Sequence, residues 1–345
     1  MAGLLTGDAE IVMEVAQIAA APGELAERAR ALLEPLRRVT PFDAAWICVL
    51  DVERRGFVSL VTDGYSDACR EYFESPTVFE ETLLLGLDRK RPPMCRRDMP
   101  VRAEDVRGCA EYMLPAGFRD GIGAGLFTPD GRHIGMLTLN TDTAAYPTDA
   151  ARDLIGMLAP LIAHAVDPMR SVGSVARIVH DAASGVAVTR AGTALPLPGL
   201  PPHPVLATGS LAVEVAGGML TRCRVHSSFL CPYENGHVRI TALAAPPGPP
   251  YHFTAIVVLA PAGDVQGLTA RELEVLGLLT EGWSNRTLAV ELGVAERTVA
   301  AHVEHLLVKL AVTSRTAAAI TAQRLGLYVP RLLHHATRAA DPGDR

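Results

Sequence analysis

The sequence lacks an apolar run long enough to cross a membrane. A spanning helix needs about 18 consecutive apolar residues, and the longest candidates, 155–166 and 253–261, are short or interrupted by Gly, Pro or His. The N-terminus has no basic residue ahead of an apolar stretch, so no secretory signal peptide is predicted. We therefore expect a cytoplasmic protein that does not bind membranes.

Lysine and closely paired cysteines are also scarce. Lys90 and Lys309 are the only lysines among 32 basic residues, and the net charge of the 345-residue chain is −6. The global excess of positive charge that marks many nucleic-acid-binding proteins is therefore missing. The six cysteines include no C-x-x-C pair, so we expect them to be small apolar residues with reduced thiols.

The apolar pattern of the N-terminal half changes from helical to alternating spacing and back, and the length of the chain indicates more than one domain. The predicted elements are a helix over 7–39 kinked at Pro35, strands over 44–51 and 56–65, a hairpin over 121–140 and a helix over about 148–166. This order predicts an α+β domain over 7–168. In its order of elements it resembles a GAF domain, a class that binds small molecules or acts as a dimerising scaffold.

A second compositional unit covers 171–262 and contains two Pro-rich breaks. Its clearest element is a hairpin turning at Asn235-Gly236, a strong two-residue turn signal. Strand alternation puts Phe229 and Ile240 on an apolar face and Arg239 on the other. The pattern predicts a small α+β module whose sheet packs on one side, and this module resembles a PAS-like domain.

The last 80 residues carry the start and stop signals of four short helices. Thr269 with Glu272 forms a capping box for the first helix, and Ser284 caps the second. Gly293 makes a tight turn before a third helix at about 296–310, and either Thr313 or Ser314 starts the fourth. A second and third helix joined by such a turn form a helix-turn-helix, in which the third helix would enter the major groove of DNA.

Helical periodicity divides the third helix into a buried row and an outward row. The predicted buried residues are Val299, Val303, Leu306, Leu307 and Leu310. The predicted outward residues are Ala300, Ala301, Glu304, His305 and Val308.

Four ordered motifs lie between residues 268 and 326: L-T-x-R-E-x-E-V-L, E-G-x-S-N, R-T-V-x-x-H-V-x-x-L-L-x-K-L and S-R-T. Together they strongly resemble the LuxR/GerE-type DNA-binding domain. The resemblance implies an all-α, four-helix domain over 264–329, followed by a C-terminal tail over 330–345. It also implies a homodimer that binds an inverted repeat in double-stranded DNA and, in an activator, contacts RNA polymerase.

The same resemblance implies which residues touch DNA. Those that approach phosphates are Asn285, Arg286, Thr298, Lys309 and Arg315. Those that address base edges are Ala300, Ala301 and Glu304, and the predicted set is completed by Ser284, Arg297, His302 and His305.

The chain departs from the family pattern at several of these positions. The family often has a basic residue at Ala300, a polar or basic one at Glu304 and Ser at Ala295, where an N-cap is typically worth about 1 kcal/mol. Glu can accept a hydrogen bond from a cytosine amino group, whereas Ala can only meet a thymine methyl. Residues 266–330 contain six Arg or Lys and six Glu. We therefore expect weak non-specific binding and a need for dimerisation.

The spacing of residues does not support an enzyme or a phosphorylated receiver domain. Three residues before Met99-Pro100, where a receiver carries its acceptor Asp, stands Arg96, and no lysine occurs between 91 and 308. No nucleophile or acid–base pair stands out. We therefore predict a protein without catalytic residues.

No metal site or cofactor is predicted either. The set Cys223, His226, Cys231 and His237 has a zinc-knuckle spacing, but strand alternation separates Cys231 from His237. Gly121-x-Gly-x-Gly precedes a strand rather than a helix, which favours close backbone approach in a sheet over dinucleotide binding.

The sequence therefore predicts a one-component transcription regulator whose N-terminal domains sense an unknown small molecule or partner and control dimerisation. A second hypothesis remains open. In it, the chain is a small-molecule-binding or signalling scaffold whose DNA-binding domain is weak or vestigial, as Ala300 and Glu304 would allow.

Overall fold

The computed structural model describes residues 6–176, 179, 181–220 and 225–334. The chain divides into two compact units. The first unit comprises the residues up to 170 together with 247–252, and the second comprises 171–246 together with the residues from 253 onward. Cys223 and most of the predicted C-terminal tail, 335–345, lie outside the described residues.

The first unit is built on one antiparallel sheet. Its helices are α1 (Thr6–Ala20), α2 (Leu25–Ala31), α3 (Leu33–Val39), α4 (Asp67–Phe73), α5 (Pro76–Leu84) and α6 (Asp149–Ala165). Its strands are β1 (Ala44–Asp51), β2 (Gly56–Asp63), β3 (Met94–Cys95), β4 (Asp120–Phe127) and β5 (His133–Thr141), in the order β2-β1-β5-β4-β3. The GAF-like α+β fold predicted for this region is confirmed.

Both faces of this sheet are covered, which explains the continuous apolar run AAWICVL in β1. Successive side chains of a strand point to opposite faces. Ile47 and Val49 therefore join the core formed with α1 and α6, while Trp46 joins a separate aromatic core and stacks on Phe73 with ring centroids 4.2 Å apart.

The single N-terminal helix predicted over 7–39 is wrong, because the segment forms the three helices α1, α2 and α3. The chain leaves helical geometry at Pro22-Gly23, where Gly23 has a φ of 120°, and Leu32 separates α2 from α3. Pro35, predicted to kink the helix, lies in the first turn of α3, where its missing N–H removes no helical hydrogen bond.

The second unit combines a sheet with the four C-terminal helices. Its elements are the greater part of α7 (Pro168–Ala176), and all of β6 (Ser184–Thr189), β7 (Ala194–Pro196), α8 (Leu211–Leu220), β8 (His226–Tyr233), β9 (Gly236–Ala244), β10 (Phe253–Pro261), α9 (Ala270–Thr280), α10 (Asn285–Leu292), α11 (Glu296–Lys309) and α12 (Arg315–Leu325). The antiparallel sheet has the order β7-β6-β10-β9-β8. If the strands of each unit are numbered from the first strand of that unit, both sheets have the order 2-1-5-4-3, although the sequence shows no repeat.

The β8–β9 hairpin turns one residue earlier than predicted. Tyr233 pairs with Gly236, so the turn is Glu234-Asn235, with Glu234 at a φ of 50°. This register places Phe229 opposite Ile240, whereas the predicted register would place it opposite Ala242. The pairing shifts by two residues, so the predicted division of side chains between the two faces is unchanged.

The prediction that this sheet packs on one side only is wrong, because Leu230 and Thr241, on the face opposite Phe229, are also buried and α12 packs against β8. Arg239 donates hydrogen bonds to the carbonyls of Leu325, at 2.7 Å, and Gly326, at 3.3 Å, which end α12. The backbone N–H of Leu230 donates to the carbonyl of Tyr328 at 2.8 Å. The sequence pattern alone would predict that an arginine at an outward strand position is solvated. Here Arg239 instead donates to the carbonyls at the C-terminal end of a helix.

No helix among the described residues has both the length and the apolar character that a membrane span requires.

Candidate nucleic-acid interface

The start and stop signals of α9 and α10 are those predicted. The Thr269 hydroxyl accepts a hydrogen bond from the N–H of Glu272, and the carboxylate of Glu272 accepts one from the N–H of Thr269 at 2.7 Å. Ser284 caps α10 by accepting from the N–H of Thr287. Gly293 ends α10 in the left-handed region, with a φ of 67°, and so permits the sharp turn into α11.

Helix α11 also has the predicted orientation. Val299, Leu306 and Leu310 are buried, and Val303 and Leu307 pack partly buried against the same core. Its N-cap, Ala295, makes no side-chain hydrogen bond, as predicted. Of the two candidates for the start of α12, Ser314 is the N-cap, since its hydroxyl accepts from the N–H of Ala317.

The opposite face of α11 is open. Val308 is 79% exposed, and the predicted base-reading residues Ala301 and Glu304 are exposed, as is His305. Other members of the predicted set, Thr298, Ala300 and His302, are half-buried beside them on the helix.

Two exposed arginines stand at the beginnings of α10 and α11. Arg286 and Arg297 are each the second residue of their helix, and Ser284 and Asn285 lie at the start of α10. The first turn of a helix offers unpaired backbone N–H groups and a positive dipole end. Both helix starts are therefore suited to bind phosphate.

The remaining two cations of the predicted set are engaged inside the domain. Lys309 Nζ lies 2.7 Å from Glu272 Oε2 and 2.8 Å from the carbonyl oxygen of Gly267. Arg315 donates to the carbonyl oxygen of Trp283. The Lys309–Glu272 pair was not predicted, although both residues belong to the recognised motifs. An ammonium has three donors, so Lys309 keeps one for a phosphate.

The carboxylate of Glu272 is buried and its ionisation depends on these partners. Burial on its own disfavours the charged form, but the hydrogen bonds from Lys309 and Thr269 outweigh it, so the pKa of Glu272 lies below its usual value. Because the folded pKa is lowered, the stabilisation is present above the unfolded pKa of about 4.3 and is lost as pH falls through the lowered value.

Glu272→Gln is accordingly expected to lower the free energy of unfolding of the second unit by about 1–3 kcal/mol at neutral pH. The difference from the wild type should shrink as pH falls below about 4. Urea unfolding followed by Trp283 fluorescence, in a Trp46→Phe background, measures it. Glu304→Gln, at an exposed carboxylate, is the matched control and should change stability little. A difference that stays constant down to acidic pH would contradict the assignment.

The described residues contain no group of three or more His, Cys, Asp or Glu side chains that could hold a metal ion. Of the zinc-knuckle set, Cys231 pairs with Val238 and His237 with Pro232, so Cys231 and His237 lie on opposite faces of the hairpin.

Solved structures similar to this chain include two of distinct kinds. A GAF domain from a phosphoenolpyruvate-protein phosphotransferase of Coxiella burnetii is 14% identical, with a TM-score of 0.38, over 49% of this chain and 97% of that one. Escherichia coli SdiA is 14% identical, with a TM-score of 0.34, over 93% of this chain and 98% of that one. These likenesses assign neither ligand nor activity.

Sequence comparison concerns the helical domain. Transcriptional regulatory protein LiaR of Bacillus subtilis (strain 168) is 44% identical over 59 residues, which are 17% of this chain and 28% of LiaR. HTH-type transcriptional regulator MalT of Vibrio parahaemolyticus is 45% identical over 58 residues, 17% of this chain and 6% of MalT. The match thus spans less than a third of either relative. The GerE family, described as bacterial regulatory proteins of the luxR family, matches residues 266–322. Residues 266–322, which contain the helix-turn-helix formed by α10 and α11, therefore form a helix-turn-helix domain similar to that of the luxR family of bacterial regulatory proteins.

Proposed function

We propose that the protein is a one-component, sequence-specific transcription regulator whose helix α11 reads the major groove. The observation that carries the proposal is the division of α11. Val299 and Leu306 fix one side in the core while Ala301, Glu304 and His305 are exposed on the other. A recognition helix must be held rigidly on one side and present several side chains to base edges on the other.

The proposed contacts divide into those that position the domain and those that read sequence. The proposed phosphate contacts are Ser284, Asn285, Arg286, Arg297, Thr298, Lys309 and Arg315. The proposed base-facing residues are Ala300, Ala301, His302, Glu304 and His305. Glu304, as an acceptor, suits the amino group of cytosine, and the two alanines suit thymine methyl groups.

The near-neutral charge of the domain predicts a shallow salt dependence. With six Arg or Lys against six Glu in 266–330, we expect the net charge neutralised on the DNA to amount to about six phosphates per dimer, fewer than the residues proposed to touch phosphates. The plot of log Kobs against log salt concentration should therefore have a slope near −5. Fluorescence anisotropy of a labelled duplex between about 50 and 200 mM salt measures it. A clearly steeper slope would contradict this account of the interface.

Because one domain alone is expected to bind DNA weakly, a signal that changes dimerisation would control DNA binding. We propose a homodimer that binds an inverted repeat, with half-sites about one helical turn, 34–36 Å, apart. A small molecule sensed by the N-terminal domains would change how the two chains pair and so the distance between their recognition helices. In an activator, the bound dimer would contact RNA polymerase.

Sequencing of genomic fragments retained by the purified full-length protein tests the proposal. Enrichment of one inverted repeat by the wild type, absent from an Arg286→Glu/Arg297→Glu variant, is the expected result. If neither protein enriches a sequence, with or without added cell extract, the scaffold hypothesis with a vestigial DNA-binding domain is preferred instead.

A further inference from the structure

The first unit contains a cavity of about 170 Å³ beside the sheet face that carries Trp46. Its wall is largely apolar and includes Phe73, Phe118, Met94 and Met136. An engineered cavity of roughly 150 Å³ holds benzene, whereas drug-sized ligands occupy about 300–1,000 Å³. The volume therefore suits one ring with a small substituent.

Strand β4 shows how the sequence keeps this space open. A Cβ at Gly121 would lie 2.5 Å from the carbonyl oxygen of Leu139, and one at Gly125 would lie 2.2 Å from that of Leu87. Close backbone approach, which the sequence predicted, therefore explains these two glycines. A Cβ at Gly123 would lie 3.5 Å from Leu87 Cδ1, an ordinary contact. Backbone crowding does not require glycine there, and the missing side chain leaves room in the cavity.

Strand β5 supplies uncharged polar groups to the same cavity. Thr138 and Asn140 line it together with Met136, since alternate residues of a strand share a face. The Tyr65 hydroxyl donates to Asn140 Oδ1 at 2.9 Å, and burial raises the pKa of Tyr65, which keeps this proton in place. The bond orients the amide so that its nitrogen remains a donor. No described residue forms a side-chain hydrogen bond with that nitrogen or with the Thr138 hydroxyl.

The charged side chains that line the cavity either form hydrogen bonds within the protein or are exposed to solvent. Glu81 accepts hydrogen bonds from the Tyr72 hydroxyl and from the N–H of Gly108. Arg96 donates to Glu104 at 2.9 Å, and Arg119 is exposed. The charged lining residues are Glu81, Arg96, Arg119 and Asp120. Each of these side chains is bonded within the protein or exposed, so a charged group held deep in the cavity would lack a counter-ion, at a large free-energy cost.

We infer that this cavity binds an uncharged, compact, mainly apolar molecule about one substituted ring in size, which accepts a hydrogen bond from the Asn140 amide. The inference rests on the proposed sensing role of the first unit. It does not depend on DNA binding, so the DNA experiment above and the ligand experiment below can fail independently.

The test is ¹⁹F NMR of three probes with the full-length protein. 4-Fluoroacetophenone is neutral and carries a carbonyl acceptor, whereas 4-fluorobenzoate has a similar shape and a negative charge. We expect 4-fluoroacetophenone to bind with a dissociation constant below about 1 mM and 4-fluorobenzoate to bind at least about tenfold more weakly. Asn140→Leu should weaken the binding of 4-fluoroacetophenone about three- to tenfold. It should leave the binding of fluorobenzene, which lacks the carbonyl acceptor, unchanged.

A substitution that fills the cavity is compared with the same substitution at a position outside it. Gly123→Val should abolish binding of 4-fluoroacetophenone, and Gly123→Ala, the milder change, should weaken it. Gly236→Val makes the same substitution at a strand position with no atom within 4 Å of the added Cβ and should bind like the wild type. Thermal melting identifies any variant that fails to fold. The inference is overturned if 4-fluorobenzoate binds equally well, if binding survives in folded Gly123→Val, or if 4-fluoroacetophenone does not bind at about 1 mM.

Discussion

Replacing Arg286 and Arg297 together by Glu is expected to weaken binding of the full-length protein to its DNA site by about 100-fold. Both side chains are exposed in the first turns of α10 and α11, where phosphates would lie. A dimer would lose four attractive contacts and gain four repulsive ones, which removes most of the counterion release that drives association. Fluorescence anisotropy with a labelled duplex at near-physiological salt measures the change.

The same double substitution should not destabilise the fold. Acidic residues in the first turn of a helix interact favourably with its dipole, by about 0.3–1 kcal/mol each, so stability should stay the same or rise slightly. Arg89→Glu, at an arginine 85% exposed in the first unit, is the matched control and should bind DNA like the wild type. Binding within about threefold of the wild type, or a loss that accompanies unfolding, would contradict the proposed interface.

Gly277→Ala is expected to lower the free energy of unfolding of the second unit by about 2–3 kcal/mol. Gly277 is buried within α9, and a Cβ there would lie 1.9 Å from the carbonyl oxygen of Val329. The segment after α12 is held against α9 at this point, since the N–H of Val329 also donates to the carbonyl of Leu273 at 3.2 Å. Accommodating the methyl group requires this backbone to move.

A glycine in helix α8 provides a control substitution with the opposite expected effect on stability. Gly217 is also helical, but no atom lies within 4 Å of its Cβ position. Ala is favoured over Gly in a helix by about 1 kcal/mol, so Gly217→Ala should leave the protein as stable as the wild type or more so. Urea unfolding of both variants tests the pair. If Gly277→Ala also stabilises the protein, the packing of residues near Val329 onto α9 is not as described.

The helical domain could be predicted because its signals are local. The capping box at Thr269, the caps at Ser284 and Ser314 and the left-handed Gly293 each act within a few residues of the helix end they define. The buried row of α11 follows from the 3.6-residue period. Such features depend little on the rest of the chain, so sequence alone locates them.

The single helix predicted over 7–39 overlooked a local signal, because Pro22-Gly23 is a typical helix break. The other errors arose where distant contacts decide the structure. Arg239 occupies an outward strand position, and its role is clear only from the carbonyls at the end of α12. Lys309 and Glu272 are 37 residues apart, and no spacing rule pairs them.

The cavity of the first unit has no one-dimensional signature. The sequence does not distinguish Gly121, Gly123 and Gly125. Only the distances to Leu139 and Leu87 show that backbone crowding requires glycine at 121 and 125, whereas glycine at 123 leaves space in the cavity. Thr138 and Asn140 read as ordinary residues of an alternating strand. Their importance depends on Tyr65 and on the aromatic side chains that enclose the same space.

Selection of bound sequences from a random duplex library, with the wild-type full-length protein and with Glu304→Gln, tests the central claim most directly. If α11 reads the major groove, both proteins should enrich an inverted repeat with half-sites about one helical turn apart. One position in each half-site should change, because Glu accepts from cytosine whereas Gln pairs with adenine. The same base preference in both proteins, or no enriched sequence in either, would contradict the claim.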